Sequence, residues 1–545
     1  MNALQKMIKK SAYILFIVLL LNQTSAFSQT DTYGEKLLKM NQFKTAKSYF
    51  LKKNTEKPND ISTLYFLGET YYNLGILDTA EFYFQKGIVL NPNDIYTNIG
   101  MGKILLDKSN IPEAKKMFEK ANALAKYKDI KVLASIADAM ISSKNKQYDL
   151  ATEYLQKAIE KDKTKSIIHI VSGDKNSNQA NLGEAANDYE RAFYYDKNCT
   201  EAYYKLGKIY TTARNYKESI KAFESALKID SAYIPVWRDL AEMYYSYGHY
   251  QDASDAFYKY IQLTEPDLND HIRYATILFF NKEYAKSLSE TENALLKDPK
   301  NFVMKRLNAY NLYETKDFSR SLIAINDFFK TTPENKTIAT DYEYYGKILS
   351  KNGMDSLAII SFEKALVMDS TKKELYENIG ISNDKLKKYD KSAKAYESLI
   401  LSKANPLSSE FFLLGKSTYY FGGSMADLAD SLNKKAYLQK ADTSFSKVIE
   451  LSPNSFLGYF WKARVNALLD PETEIGLAKQ WYEKVVSILE ATPDKNKKEL
   501  LESYQYLGYF HYIIKDNETS KNYWNKILAI DPTDKKALDA IKGMK

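Results

Sequence analysis

The chain is short of the residues that most chemistry needs. One cysteine in 545 residues, Cys199, excludes an intramolecular disulfide framework and a cysteine-based zinc site. Only four histidines are present, His169, His249, His271 and His511, and no two are spaced i, i+4 as a metal-binding helix requires. Neither sign of charge is in large surplus. The 77 Lys+Arg against 69 Asp+Glu give +8, and Lys6, Lys9 and Lys10 near the start leave +5 for the rest. A protein that binds nucleic acid by neutralising phosphates needs a denser basic footprint. Apolar runs of membrane-spanning length, roughly 20 residues, are missing throughout. With 45% apolar and 27% charged residues, the chain still has enough hydrophobic surface to fold and too little charge bias for disorder.

The first 28 residues have the form of an export signal. A basic start, Met1 to Lys10, precedes the unbroken apolar run Ala12–Leu21, and Ala26-Phe27-Ser28 places small residues where a signal peptidase reads them. Cleavage after Ser28 leaves Gln29 first. The run falls well short of a bilayer span, so a permanent anchor is the weaker reading, and no cysteine follows it to carry a lipid. The expected location is outside the cytoplasm: periplasmic, outer-membrane-associated or secreted.

The remainder is one motif repeated. Small residues recur at Gly34, Gly68, Gly102, Ala139, Gly173, Gly207, Ala241, Ala275, Ala309, Gly346, Gly380, Gly415, Ala463 and Gly508, mostly 34 residues apart. Twelve residues after nearly every one comes a second small residue, as in Ala46, Ala80, Ser219 and Ser520. Four residues further sits a large one, as in Phe50, Phe84, Tyr189, Phe223 and Tyr396. Spacings of three and four within each half predict two amphipathic helices per unit. Two antiparallel helices interlock closely only where neither carries bulk at the crossing, which accounts for small residues on both. All twelve prolines fall at predicted helix boundaries, where proline is tolerated.

These residues resemble the tetratricopeptide repeat. Good copies are Leu64, Leu67-Gly68, Tyr71, Ala80, Phe84, Gly87 and Pro92, and Trp237, Leu240, Ala241, Tyr244, Ala253 and Phe257. The resemblance spans residues 30–534. It implies an all-α, right-handed superhelical solenoid of about 14 helix-turn-helix units that binds protein segments on its concave face, without catalysis and without a cofactor. Phase shifts subdivide it into repeats 1–3 (29–131), 4–9 (132–338) and 10–14 (339–534), with an insertion near 421–434 and three added residues around Asp470-Pro471-Glu472. A last helix over 535–545, capped by Thr533-Asp534, closes the end.

In this family the second, fifth, ninth, twelfth and thirteenth places of each unit line the concave face. That phase yields Phe279 and Phe280 in repeat 8 and Arg306, Tyr310 and Tyr313 in repeat 9. Repeat 12 contributes Phe412, Lys416, Tyr419 and Tyr420, and repeat 13 Phe460 and Arg464. Exposed aromatics beside cations are the residue types that dominate interface energetics. The Lys–Asn clamp by which relatives hold a chaperone tail is absent at the fifth and ninth places. The expected function is therefore a non-catalytic scaffold of the bacterial cell envelope that holds one or more proteins. A glycan-binding envelope protein using the same aromatic face is the alternative. His169 and His271 fall where a ring packs between helices, and Cys199 has no activating base nearby. No catalytic, cofactor or metal residue is expected.

Overall fold

The computed structural model describes residues 32–425, 431–491 and 495–544. The export signal, Pro493 and part of the insertion lie outside them. Among the described residues there are 29 α-helices and no strand, in fourteen hairpins followed by a final helix. Consecutive helices pack on one another up to Phe280 and again from Tyr284 onward, and many first helices pack also on the first helix of the next repeat. The chain forms two compact units that divide between Glu283 and Tyr284, inside repeat 8. The three residues added before Ala339 are absorbed by a single 3-10 turn, Glu334–Lys336, and those before Val132 by the turn ahead of Asp129, whose carboxylate caps the helix Ile130–Ser142.

Close approach is the local rule. At Gly207 a β-carbon would lie 2.5 Å from the Phe223 ring, and at Gly68 2.3 Å from Phe84. Glycine is thus needed at the crossing because the aromatic of the second helix lies against its backbone. The twelve-residue spacing has its own contact: the hydroxyls of Ser219, Ser321 and Ser520 donate to the carbonyls of Gly207 (2.9 Å), Ala309 (2.9 Å) and Gly508 (2.7 Å). A buried hydroxyl can replace alanine there because it finds an acceptor.

Turn chemistry is equally periodic. The residue seven places after the small one has positive φ in most repeats, whether glycine (Gly75, Gly248, Gly353) or not (Asn41, Ser109, Ala180, Arg214, Lys282, Lys316, Lys387, Lys515). It sits in a left-handed C-terminal cap, with Gly75 N–H donating to Tyr72 O (2.9 Å) and Ile76 N–H to Tyr71 O (2.9 Å). Aspartate and asparagine open many first helices, including those capped by Asp60, Asp94 and Asn301. Asp534 likewise caps the last helix, Lys535–Gly543.

Around the insertion the helices lengthen. Repeat 12 runs through Ser408–Gly423 and Ser431–Leu451, 16 and 21 residues. Phe421 packs edge-on to Tyr437 at 4.7 Å, and Leu438, 1% exposed, faces Gly422, so the described part of the insertion extends the hairpin's apolar contact. In repeat 13, buried Asp470 accepts from the backbone N–H groups of Gly476 (2.7 Å) and Leu477 (3.2 Å), which ties down the added loop.

Candidate functional site

The five residues of the first predicted cluster are divided between the two units. In unit 1, Phe280 is 43% exposed at the end of the helix Leu268–Phe280, in contact with Phe279, Tyr245 (5.5 Å) and Tyr250 (5.4 Å). It borders a cleft of about 500 Å³ lined by the inter-helix turns of repeats 7 and 8, including His249 and Lys282.

In unit 2, Arg306 and Tyr310 are taken up by the fold, so the phase that places them on a free face misassigns them. The Arg306 guanidinium donates to both carboxylate oxygens of Asp341 (2.6 and 2.8 Å) and to Lys336 O (2.8 Å). The same fully buried carboxylate accepts from the Tyr310 hydroxyl (2.6 Å) and the Ile338 N–H (2.8 Å). Tyr310 is 3% exposed and stacks on Tyr344 at 3.8 Å. Burial, with the Asp341 charge beside it, holds its phenol well above the ordinary range. These contacts bolt repeat 9 to repeat 10. The signal was Asp341 itself, an acid 35 positions after Arg306 at neighbouring phase. Tyr313 remains partly exposed, edge-on to Tyr344 and tilted against Phe318.

The second cluster is assembled within unit 2, around a residue the phase passed over. Phe412, Tyr419 and Tyr420 share one face of the helix Ser408–Gly423, and their rings surround Trp461 at 6.0, 5.5 and 5.9 Å. Trp461 is 8% exposed, while Tyr420 is 40% exposed and stacks on Tyr389 at 5.2 Å. Two cations face the tryptophan. Arg464 lies 4.9 Å from its ring and is held by Glu502 (2.7 Å). Lys416 lies 5.4 Å from it, with no carboxylate within ion-pair distance among the described residues. The arrangement is a rigid aromatic platform with an ammonium at its side that has no ion pair among the described residues, suited to stacking against apolar or planar groups and to engaging an acid or carbonyl. One of only four tryptophans in the chain, Trp461 was the available signal.

The scarce chemical residues are occupied elsewhere. His169 is buried, with Nε2 2.8 Å from Lys163 O and its ring stacked on Tyr195. His511 Nδ1 lies 3.0 Å from the Asp516 carboxylate. Partly buried Cys199 opens the helix Thr200–Thr212, and burial pushes its thiol up, away from reactivity. No group of three or more potential metal ligands occurs among the described residues. Nor, among them, is any helix long and apolar enough to cross a membrane.

The tetratricopeptide repeat family model matches residues 61–94 and 200–233, the units carrying Gly68 with Phe84 and Gly207 with Phe223. The chain is also 34% identical to the C-terminal part of a TPR repeat-containing protein from Cytophaga hutchinsonii, covering 50% of this chain and 99% of that one, with a TM-score of 0.43. The chain belongs to the tetratricopeptide repeat family. A further relative is the Hsp70-Hsp90 organizing protein of Triticum aestivum, 26% identical over 163 residues, a match over 30% of this TPR protein and only 27% of the wheat one. Among solved structures, YrrB, described as a TPR protein with an unusual peptide-binding site, is 21% identical over 33% of this chain and 92% of its own, with a TM-score of 0.21. TPR proteins are protein-interaction scaffolds, and the family is generally non-catalytic.

Proposed function

We propose that this TPR protein is a non-catalytic scaffold of the bacterial cell envelope and that it holds a segment of a partner protein against the platform of Phe412, Tyr419, Tyr420 and Trp461. The observation that carries this reading is the pairing of exposed Tyr420 with Lys416, which has no ion pair among the described residues, on one rigid aromatic cluster. Rings already held by their neighbours lose little freedom when a partner lands, so the area they bury converts efficiently into affinity. Lys416 supplies orientation by donating to an acidic side chain or a backbone carbonyl. The partly exposed Tyr313, also of unit 2, is a secondary contact in this reading. The export signal supports an envelope location. Affinity capture from solubilised envelope fractions, quantified by mass spectrometry and run beside a polysaccharide resin, tests it. A stoichiometric protein partner is expected, and retention on polysaccharide without such a partner would contradict the scaffold reading in favour of glycan binding.

A further inference from the structure

Repeat 1 reaches well beyond its sequence neighbours. Met40, just after the helix Thr32–Lys39, is 5% exposed because it is buried in a cluster with Phe223, Tyr233, Phe257, Tyr260 and Tyr274, from repeats 6 to 8. Two ion pairs flank it. Lys36 lies 3.9 Å from Asp230, and Lys44 lies 3.2 Å from Asp267, a residue 223 positions away. Unit 1 therefore closes on itself: its stack of hairpins turns far enough for the first repeat to rest on the last ones.

The closure encircles a charged inner face built by successive first helices. There Lys205 pairs with Asp174 at 2.6 Å, Lys208 with Asp239 at 3.2 Å and Lys103 with Glu69 at 3.5 Å. Asp138 of repeat 4 feels charges from repeats 2, 3, 5 and 6 at once, as expected where first helices converge.

The two kinds of contact differ in strength. Within the stack, each repeat is joined to the next by buried rings, such as Phe50 on Phe66 at 5.1 Å. Among the described residues, the contacts across the closure include one buried methionine and two ion pairs whose side chains are 34–73% exposed. Exposed pairs of this kind are weak and are screened by salt.

We propose that repeat 1 is a clasp: docked on repeats 6 to 8 it closes the inner face of unit 1, and released it opens that face. The clasp rests on intramolecular contacts alone, so it stands or falls independently of the aromatic platform of unit 2. A solenoid opens this way by small adjustments spread over its repeat interfaces, with every hairpin intact.

The protein carries its own reporter. Cys199 is the only thiol, is partly buried, and lies within electrostatic reach of Lys39 of the clasp. The rate of its labelling by N-ethylmaleimide, an uncharged reagent, measures opening in the full mature chain. Raising the salt from 0.05 to 0.5 M should accelerate labelling of the natural protein about threefold or more, as the exposed pairs are screened. Lys44→Glu should do the same at low salt, and the charge swap Lys44→Glu with Asp267→Lys should restore the slow rate. Lys108→Glu, which breaks an exposed pair with Glu81 away from the clasp, should leave the rate unchanged. Labelling that ignores salt and both clasp variants would overturn the proposal. So would equal acceleration by Lys108→Glu, which would mean general loosening.

Discussion

At the residue scale, the fold depends on matched volumes sixteen positions apart. Glycine faces a ring at Gly34 and Phe50, Gly102 and Phe118, Gly173 and Tyr189, Gly346 and Phe362, and Gly380 and Tyr396. Where alanine replaces glycine, at Ala139, Ala275 and Ala309, the residue sixteen on is Leu155, Thr291 or Ile325; Ala241 keeps a ring in Phe257, and at Ala463 the added loop residues break the spacing. The small positions were legible in the sequence, and so was the large residue sixteen positions on. The pairing of glycine with that particular ring was not, because periodicity fixes phase but says nothing of which atoms meet. Gly207→Leu should therefore cost about 2 kcal/mol or more through overpacking against Phe223. Adding Phe223→Leu to that background should recover part of the loss in chemical denaturation, and strictly additive losses would count against the pairing. Asp138 gives a pH prediction. Burial pushes its carboxyl up to about 6 against an ordinary 3.8, with Asp174 and Glu69 reinforcing and Lys103 and Lys205 opposing. The native state then binds more protons between those values, so this group's contribution to stability is fully present below about 3.8 and is lost as pH rises through 6. Asp138→Asn should flatten the melting temperature between pH 5 and 7; an unchanged profile would show that Asp138 is solvated like an ordinary carboxylate.

At the scale of the element, the hairpin turn is strained wherever its left-handed residue is not glycine. Arg214, at φ 58°, and Lys282, at φ 61°, carry side chains in a conformation that costs L-residues on the order of 1 kcal/mol. Arg214→Gly should relieve more than it loses in unfolded-chain entropy and stabilise by about 0.5 kcal/mol, read as a rise in the denaturation midpoint. A fall would place the strain elsewhere. Helix boundaries were legible because proline, aspartate and glycine mark them chemically, as at Pro58, Asp60 and Gly75. The hairpin of repeat 12 was less so. Residues 421–434 read as an insertion, whereas Phe421 against Tyr437 and Leu438 against Gly422 carry helical packing past the usual stopping point. Arg306 and Tyr310 were misread for a related reason. A concave-face phase identifies direction, but Asp341, supplied by the next repeat, decides whether a side chain pointing that way is free.

At the scale of the whole molecule, each repeat is coupled chiefly to its neighbours, and damage should remain local. Hydrogen exchange on Gly207→Leu should show loosening confined to repeats 5 to 7 and to repeat 1, whose Met40 shares the Phe223 cluster, and uniform loosening of all fourteen would contradict a one-dimensional solenoid. The role proposed for this architecture is a platform on which a protein partner is held by Tyr419, Tyr420 and their neighbours. Its most direct test is the affinity of Tyr419→Ala/Tyr420→Ala for the partner captured from envelope fractions, measured by calorimetry beside the melting temperature of the same sample. Binding weaker by about thirtyfold, roughly 2 kcal/mol, at an unchanged melting temperature is the predicted result. Undiminished affinity, or a loss of binding that merely follows early melting, would contradict it.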